Sequence, residues 1–224
     1  ILKGLSFGLK EGRCFGLLGV NGAGKSTFFK ILTGATGAAH GEVLICRDGQ
    51  TIDLLKAKGV GRSKLVGYCP QSDALLPKLT VVEQLQIYGV IKGMGKADIA
   101  TSITTLVTSL GLRKFQDKQI GSLSGGNRRK VSVAVSLLGE PALVLLDEPS
   151  AGLDPASRRS LWNAITNSTM DKTVVLTSHS MEECEALCDY VGLMSSGEFH
   201  AFGTIMHLKD CLLYTSPSPR DVLR

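Results

Sequence analysis

The sequence has no uncharged apolar stretch of about 18 residues, the length that crosses a bilayer, so we expect any membrane contact to be indirect. Its first residues also lack the charged-then-apolar pattern of a signal peptide. The six cysteines form no CxxC pair, and several lie in apolar runs, which favours reduced thiols in a cytosolic compartment. A zinc site at Cys184 and Cys188 would need two further ligands that the neighbouring sequence does not offer.

The sequence also lacks a strong excess of charge of either sign. Its 25 Lys and Arg residues against 20 Asp and Glu residues suit phosphate ligands but do not require nucleic acid. With 224 residues and 43% hydrophobic composition, the chain can bury a substantial core. Because it opens at Ile1 in a predicted strand, we expect it to be a piece of a longer protein.

Apolar runs and helical spacing alternate along the chain, which indicates an α/β fold with a mostly parallel core sheet. Residues 1–20 are interpreted as strand, turn and strand, with a buried parallel strand just before a Gly-rich loop. Residues 41–68 suggest a partly antiparallel edge subdomain. We predict further strands over 142–146 and 173–177, and helices over 25–32 and 158–167.

Residues 72–138 have helical composition and predict an inserted helical subdomain, with helices over 81–91, 99–112 and 127–138. The main domain is predicted to end near residue 209. The segment 210–224 contains Ser-Pro-Ser-Pro and no periodicity, so we expect a disordered or non-native tail.

The Gly-rich loop at residues 19–26 matches G-x-x-x-x-G-K-[ST], a phosphate-binding loop between a strand and a helix. Lys25 is expected to reach the β- and γ-phosphates, Ser26 to bind Mg²⁺, and Thr27 to contact the α-phosphate. A plain Gly-rich turn is the alternative, and the strand and helix on either side argue against it. The predicted ATP-binding residues are Asn21, Gly22, Ala23, Gly24, Lys25, Ser26 and Thr27.

Two adjacent carboxylates, Asp147 and Glu148, close a predicted buried strand at the sheet edge where ligands gather. Beside a phosphate loop, Asp147 would contact the metal directly or through water, and Glu148 would polarise the attacking water. An ordinary acidic junction before Pro149 would be the default interpretation of such a pair without that loop.

His179 ends the next apolar strand and could donate a hydrogen bond to the γ-phosphate, although a lone histidine there is more often structural. Gln71 lies between the predicted edge sheet and the predicted helical subdomain, and we place it at the metal site on the basis of this position alone. Ser124 resembles a helix N-cap before Gly125, Gly126 and Asn127, which predicts a second anion site facing a partner's γ-phosphate. A plain glycine-containing cap is the alternative interpretation.

Several motifs occur in a fixed order along the chain: the phosphate loop, Gln71, the Leu-Ser-Gly-Gly-Asn segment at 123–127, Asp147-Glu148, Leu153-Asp154 and His179. Their order and approximate spacing resemble those of the ATPase domain of ABC transporters. The resemblance covers residues 1 to about 209. Segments 68–75, 124–130 and 176–188 look like the A subfamily, which is known for lipid and sterol export, and the last of these looks most like its second ATPase domain.

This resemblance implies a phosphate-loop NTPase fold, ATP and Mg²⁺ as ligands, and two ATPase domains that hold two ATP molecules between them. Each ATP would contact the phosphate loop of one domain and the 124–127 segment of the other, with Asp154 at the dimer seam. By the family pattern Glu148 is the catalytic base, His179 a switch residue, and Gln71 a link to transmembrane domains. It also implies a place at the cytoplasmic face of a membrane.

Three features depart from the wider family pattern. Asn127 replaces a Gln, although it suits the A subfamily, and the adenine-stacking aromatic residue would lie upstream of Ile1. The sequence after Lys209 does not continue the pattern. Two alternatives stay open: a related ATPase acting on nucleic acid or ribosomes, and a regulatory domain with little turnover.

Overall fold

The computed structural model describes residues 1–47, 49–170 and 172–209, so the predicted tail at 210–224 lies outside the described residues. In chain order, the strands are β1 (Cys14–Leu18), β2 (Leu44–Arg47), β3 (Gln50–Asp53), β4 (Val66–Cys69), β5 (Leu143–Asp147), β6 (Thr173–Ser178), β7 (Tyr190–Ser195) and β8 (Glu198–Thr204). The helices are α1 (Lys25–Thr33), α2 (Gly59–Leu65), α3 (Val81–Ile91), α4 (Lys96–Ser109), α5 (Gly125–Leu137), α6 (Pro155–Ser168) and α7 (Met181–Leu187).

Six strands form the central sheet in the order β4-β5-β6-β1-β7-β8. All neighbouring pairs from β4 to β7 are parallel, and only β8 pairs antiparallel, with β7. The predicted parallel core is therefore confirmed. Since β5, β6 and β1 are neighbours, the segments that follow them meet at one edge of the sheet.

The strands bury side chains on both faces, which explains their continuous apolar runs. On β5, Leu143 and Leu145 join a cluster that includes α1, whereas Val144 and Leu146 join a cluster formed with α3 to α7. The sheet is thus covered by helices on both sides. This arrangement holds the strand ends rigidly, as a site at their edge requires.

The predicted helices from 72 to 138 are confirmed as α3, α4 and α5, with bounds shifted by up to three residues at either end. Thr80 and Glu83 form a capping box at the start of α3. Buried residues of these three helices pack against one face of the central sheet, on residues of β5 and β6. The division into a helical subdomain over 72–138 and a remainder stays a prediction.

One detail of the sequence interpretation was wrong. Residues 1–10 form no strand, although Leu5, Phe7 and Leu9 pack against the core in the alternating pattern expected of one, and Leu2 packs there as well. Alternation reports which side chains are buried, but a strand also needs a hydrogen-bonded neighbour, and among the described residues the main chain of this segment makes one such bond, from Lys3 N–H to Gly197 O.

The predicted edge region is present. It contains the two-stranded antiparallel sheet β2-β3, whereas β4 pairs parallel with β5 as the outermost strand of the central sheet, and α2 separates β4 from β3. Short apolar segments do not specify their partner strand, so the sequence alone did not show that β4 joins the parallel sheet.

Candidate functional site

The phosphate loop follows β1 directly and leads into α1, as predicted. Gly24 precedes the helix with φ 112°, a left-handed conformation that a glycine adopts without strain. A Cβ at Gly19 would lie 2.4 Å from the carbonyl oxygen of Met194, so only glycine fits against β7. The Lys25 side chain is buried, and its ammonium donates hydrogen bonds to the carbonyl oxygens of Gly19 and Val20. The loop therefore holds a cation at its centre.

Other predicted residues of this loop lie near the surface. Asn21, Gly22 and Ser26 are exposed, and Ser26 and Thr27 occupy the first turn of α1. A hydrogen bond of 3.4 Å from Gly19 N–H to Ser178 O ties the loop to the end of β6. His179 follows immediately, so the phosphate loop and His179 lie beside each other at the sheet edge.

Asp147 is the last residue of β5 and is 8% exposed. One carboxylate oxygen accepts a hydrogen bond from Thr177 Oγ1, and the other accepts one of 3.3 Å from Tyr68 Oη. Burial, together with the charge of Asp147, raises the pKa of Tyr68 to about 12, so the phenol stays protonated and can donate. Asp147 is thereby fixed with both oxygens at the sheet edge.

Glu148 adopts a left-handed backbone conformation with φ 44°. Its N–H lies 3.1 Å from both Thr177 O and Thr177 Oγ1, which fixes the peptide against β6. Its Oε2 accepts a hydrogen bond of 3.0 Å from Gln71 Nε2 and lies 3.4 Å from His179 Nδ1. Gln71 and His179, which come from two other segments, therefore both approach one carboxylate oxygen of Glu148.

A second group of predicted residues lies at the starts of α5 and α6. Ser124 caps α5 by accepting a hydrogen bond of 3.4 Å from Asn127 N–H, as the sequence predicted. Gly126 packs closely on Ser157, where a Cβ would lie 3.0 Å from the serine Cβ. Asp154 caps α6, and hydrogen bonds from Ser157 lower the pKa of its carboxyl group. Gly125 and Asn127 complete this group.

The structure does not connect this second group to the phosphate loop. Within residues 1–47, 49–170 and 172–209, no hydrogen bond or ion pair joins the 124–127 segment to residues 19–27. A single chain thus presents two separate groups of predicted site residues, one around Lys25 and Glu148 and one around Ser124.

Sequence reasoning missed three residues that shape the site: Thr177 and Tyr68, which bond to Asp147, and Arg129, which bonds to the main chain around Gln71 and Glu148. Thr177 lies opposite Asp147 in the β5-β6 register, and no local pattern gives that register. Arg129 follows Asn127 by two positions, so proximity to a motif was the only available signal.

No helix in the described ranges is long and apolar enough to cross a bilayer. No group of three or more His, Cys, Asp or Glu side chains in those ranges could hold a metal ion.

Comparisons with known proteins agree with this geometry. The family model described as "ABC transporter" matches residues 2–151. The chain is 48% identical, over 92% of its length, to the bovine (Bos taurus) retinal-specific phospholipid-transporting ATPase ABCA4, and spans 9% of that protein. It is 44% identical, over 93% of its length, to the human (Homo sapiens) glucosylceramide transporter ABCA12, and spans 8% of it.

Among solved structures, CbiO1 from Clostridium perfringens, part of the ABC transporter complex CbiONQ, matches with a TM-score of 0.80 and 25% identity. The match covers 99% of this chain and 90% of that one. Sequence and fold therefore agree with the site geometry: the chain belongs to the ABC transporter family and is a domain of its A subfamily.

Proposed function

We propose that this domain binds ATP with Mg²⁺ and supplies the energy of hydrolysis to a membrane transporter that moves lipid or sterol. The observation that carries the proposal is the convergence of Gln71, His179 and Glu148 on one carboxylate oxygen. This acceptor lies at the sheet edge that also carries the phosphate loop. Such an arrangement can place a water molecule for attack on a phosphorus atom.

The phosphate loop and α1 supply the binding half of this chemistry. The N–H groups at the start of α1 and the Lys25 ammonium favour the negative charge of the β- and γ-phosphates. Ser26 and Thr27 face the same ligand from the first helical turn. Asn21, Gly22, Ala23 and Gly24 contribute main-chain donors around the phosphate oxygens.

The residues near the loop fit a magnesium ion that is held together with a nucleotide. Magnesium prefers oxygen ligands and is usually bound by one or two carboxylates plus substrate phosphates. Asp147, Ser26 and Gln71 offer a carboxylate, a hydroxyl and an amide oxygen, and Gln71 Oε1 is left for this purpose because Nε2 bonds to Glu148. When bound, Mg²⁺ would neutralise charge on the phosphate oxygens.

Glu148 is the proposed general base. Its carboxylate accepts a proton from the attacking water while the bond between the γ-phosphorus and the leaving oxygen breaks. Gln71 orients the carboxylate from one side. The side chain of His179 is 63% exposed. It would donate a hydrogen bond to the γ-phosphate and lose that bond when the phosphate is released.

The group around Ser124 is proposed to complete a second domain's site. The α5 N-terminus, with Gly125, Gly126 and Asn127, favours an anion and belongs to a different group from the phosphate loop of its own chain. A homologous or identical ATPase domain would bring its γ-phosphate there, with Asp154 at the seam. The transmembrane domains of the same transporter would be the other partners.

The lipid substrate is inferred from relatives. One is named as a phospholipid-transporting ATPase and another as a glucosylceramide transporter. The domain would then work at the cytoplasmic face of a membrane as part of an integral membrane protein. No nucleic-acid partner is expected, and these relatives do not favour the alternative of a ribosome- or nucleic-acid-acting ATPase.

The proposal is tested by ATP turnover of the Glu148→Gln variant, which keeps the size of the side chain but removes its basicity. We expect kcat to fall by about 10²- to 10⁴-fold, the usual contribution of a general base. The affinity for ATP should change little, because Glu148 does not belong to the phosphate loop.

Glu140→Gln is the matched control, because Glu140 also has a left-handed backbone (φ 49°) but an exposed side chain. It should hydrolyse ATP at the parent rate. Equal turnover by the parent and the Glu148→Gln variant would remove Glu148 from the proposed role.

A further inference from the structure

Arg129 is a buried arginine on α5 that no predicted role explains. Only 4% of the residue is exposed, and its one acidic partner among the described residues is Asp73, whose Oδ1 lies 3.2 Å from Nη1. Its other acceptors in that part of the chain are main-chain carbonyl oxygens. A buried charge is costly unless it is paired and hydrogen-bonded, so this set of contacts has to be specific.

The carbonyl groups belong to two separate segments of the catalytic edge. Nη1 donates to Pro70 O and, at 3.2 Å, to Gln71 O. On the other side, Nη2 donates to Asp147 O at 2.8 Å and to Glu148 O at 3.4 Å, and Nε donates to Pro149 O at 2.7 Å. One planar guanidinium therefore lies between the main chains of Gln71 and Glu148.

From these contacts we infer that Arg129 is a positioning residue that sets the distance between the Gln71 amide and the Glu148 carboxylate. The 3.0 Å hydrogen bond between those two side chains requires their main chains to stay in a fixed relation. Their segments come from the end of β4 and the end of β5, and the guanidinium joins them through donors in a rigid fork. This inference rests on the proposed roles of Gln71 and Glu148.

The same residue ties the catalytic edge to the start of α5. Arg129 lies two positions after Asn127, and Ser124 caps the same helix. A shift of the α5 N-terminus therefore moves the guanidinium and, with it, the carbonyl groups of Gln71 and Glu148. Occupation of the 124–127 segment by a partner's nucleotide would be transmitted to the base in this way.

Arg129→Lys tests the inference, because lysine keeps the charge but replaces the rigid five-donor fork with one nitrogen, which cannot reproduce the full set of contacts to the two segments. We expect kcat for ATP to fall by at least about tenfold, since a misplacement of about 1 Å can cost about 10²-fold. KM for ATP should change far less, because the phosphate loop is untouched.

Arg62→Lys is the matched control. Arg62 also donates to several main-chain carbonyls, those of Leu54, Leu55 and Ala57, but contacts neither catalytic segment. It should keep the parent kcat. In a Gln71→Ala background, Arg129→Lys should lower kcat by a much smaller factor than in the parent, because part of the effect of Arg129 on kcat passes through Gln71.

Hydrogen exchange without nucleotide gives a second readout that does not depend on turnover. Arg129→Lys should raise exchange both at the end of β4 (66–69) and at 147–148, whose N–H groups lie in the sheet or bond to it, and Arg62→Lys should raise it only near 54–58. If the parent turns over ATP no faster than Glu148→Gln, the proposed function fails, and exchange alone decides this inference. Unchanged exchange in either segment, or a kcat equal to that of Arg62→Lys in an active parent, would overturn it.

Discussion

At the scale of single residues, the site depends on how a buried carboxylate is satisfied. Asp147 is nearly inaccessible, and its two oxygens accept hydrogen bonds from Thr177 and Tyr68. The Thr177 hydroxyl has a double role, because it also accepts the Glu148 N–H at 3.1 Å. One hydroxyl group therefore fixes both acidic residues.

Thr177→Val removes this hydroxyl while nearly preserving the shape of the side chain. We expect the free energy of unfolding to fall by about 1–3 kcal/mol, the cost of leaving a buried polar partner unsatisfied. Turnover of ATP should fall as well, because the Glu148 N–H loses one of its two acceptors. Urea denaturation and steady-state ATPase assays measure the two effects.

Thr105→Val is the control for that change, since Thr105 is exposed on α4 and bonds only to the Thr101 carbonyl. Its stability should stay close to that of the parent. A Thr177→Val variant as stable and as active as this control would mean that the hydroxyl does not fix the acidic pair.

The residue types of the site could be predicted because the phosphate loop, Asp147-Glu148 and His179 each occupy a local pattern. Their supporting contacts could not. Thr177 faces Asp147 only because β5 and β6 pair in one register, and Arg129 bonds to main-chain atoms of residues far away in sequence. Such contacts are set by tertiary packing, which no window of sequence contains.

At the scale of elements, apolar runs and helical spacing gave β1, β5, β6 and most helices correctly. Failures occurred where a segment's partner, rather than its own pattern, decides its state. Residues 5–9 alternate but form no strand, and β4 lies in the region predicted to be partly antiparallel but pairs parallel with β5 at the edge of the central sheet. The short helix α2 carries no buried residue, so it leaves no apolar stripe to detect.

Lys92 links two helices of the 72–138 region and gives a pH-dependent prediction. Its ammonium donates to the Leu138 carbonyl, the C-cap of α5, at 2.7 Å, and burial lowers the pKa of Lys92 from 10.5 to about 8. Between these values the unfolded chain binds more protons than the folded chain, so stability rises with pH. Below about pH 8 both states are protonated, and the charge remains a constant cost.

Lys92→Met should therefore remove a rise in the free energy of unfolding, of about 1 kcal/mol per pH unit at most, between pH 8 and 10.5. Denaturant titrations across that range measure the difference between variant and parent. Lys96→Met, at an exposed lysine of α4, is the control and should keep the rise. Identical pH profiles for Lys92→Met and the parent would contradict the buried-ammonium interpretation.

At the scale of the whole molecule, the fold separates two functional groups. The sheet edge brings Lys25, Asp147, Glu148, Gln71 and His179 together, whereas the 124–127 segment lies with Asp154 and Ser157 at the starts of α5 and α6. In the proposed function, the first group of one chain binds and positions a nucleotide. The second group would act only when another domain brings its ligand to the 124–127 segment, as proposed above.

The most direct test of the central claim is the melting temperature of the chain with ATP and Mg²⁺. A ligand at about 100 times its dissociation constant adds about 2.7 kcal/mol of stability, which for a domain of this size raises Tm by about 5–10 °C. We expect this rise in the parent and its loss in Lys25→Ala, with Glu148→Gln still responding. No rise in the parent, or an equal rise in Lys25→Ala, would contradict it.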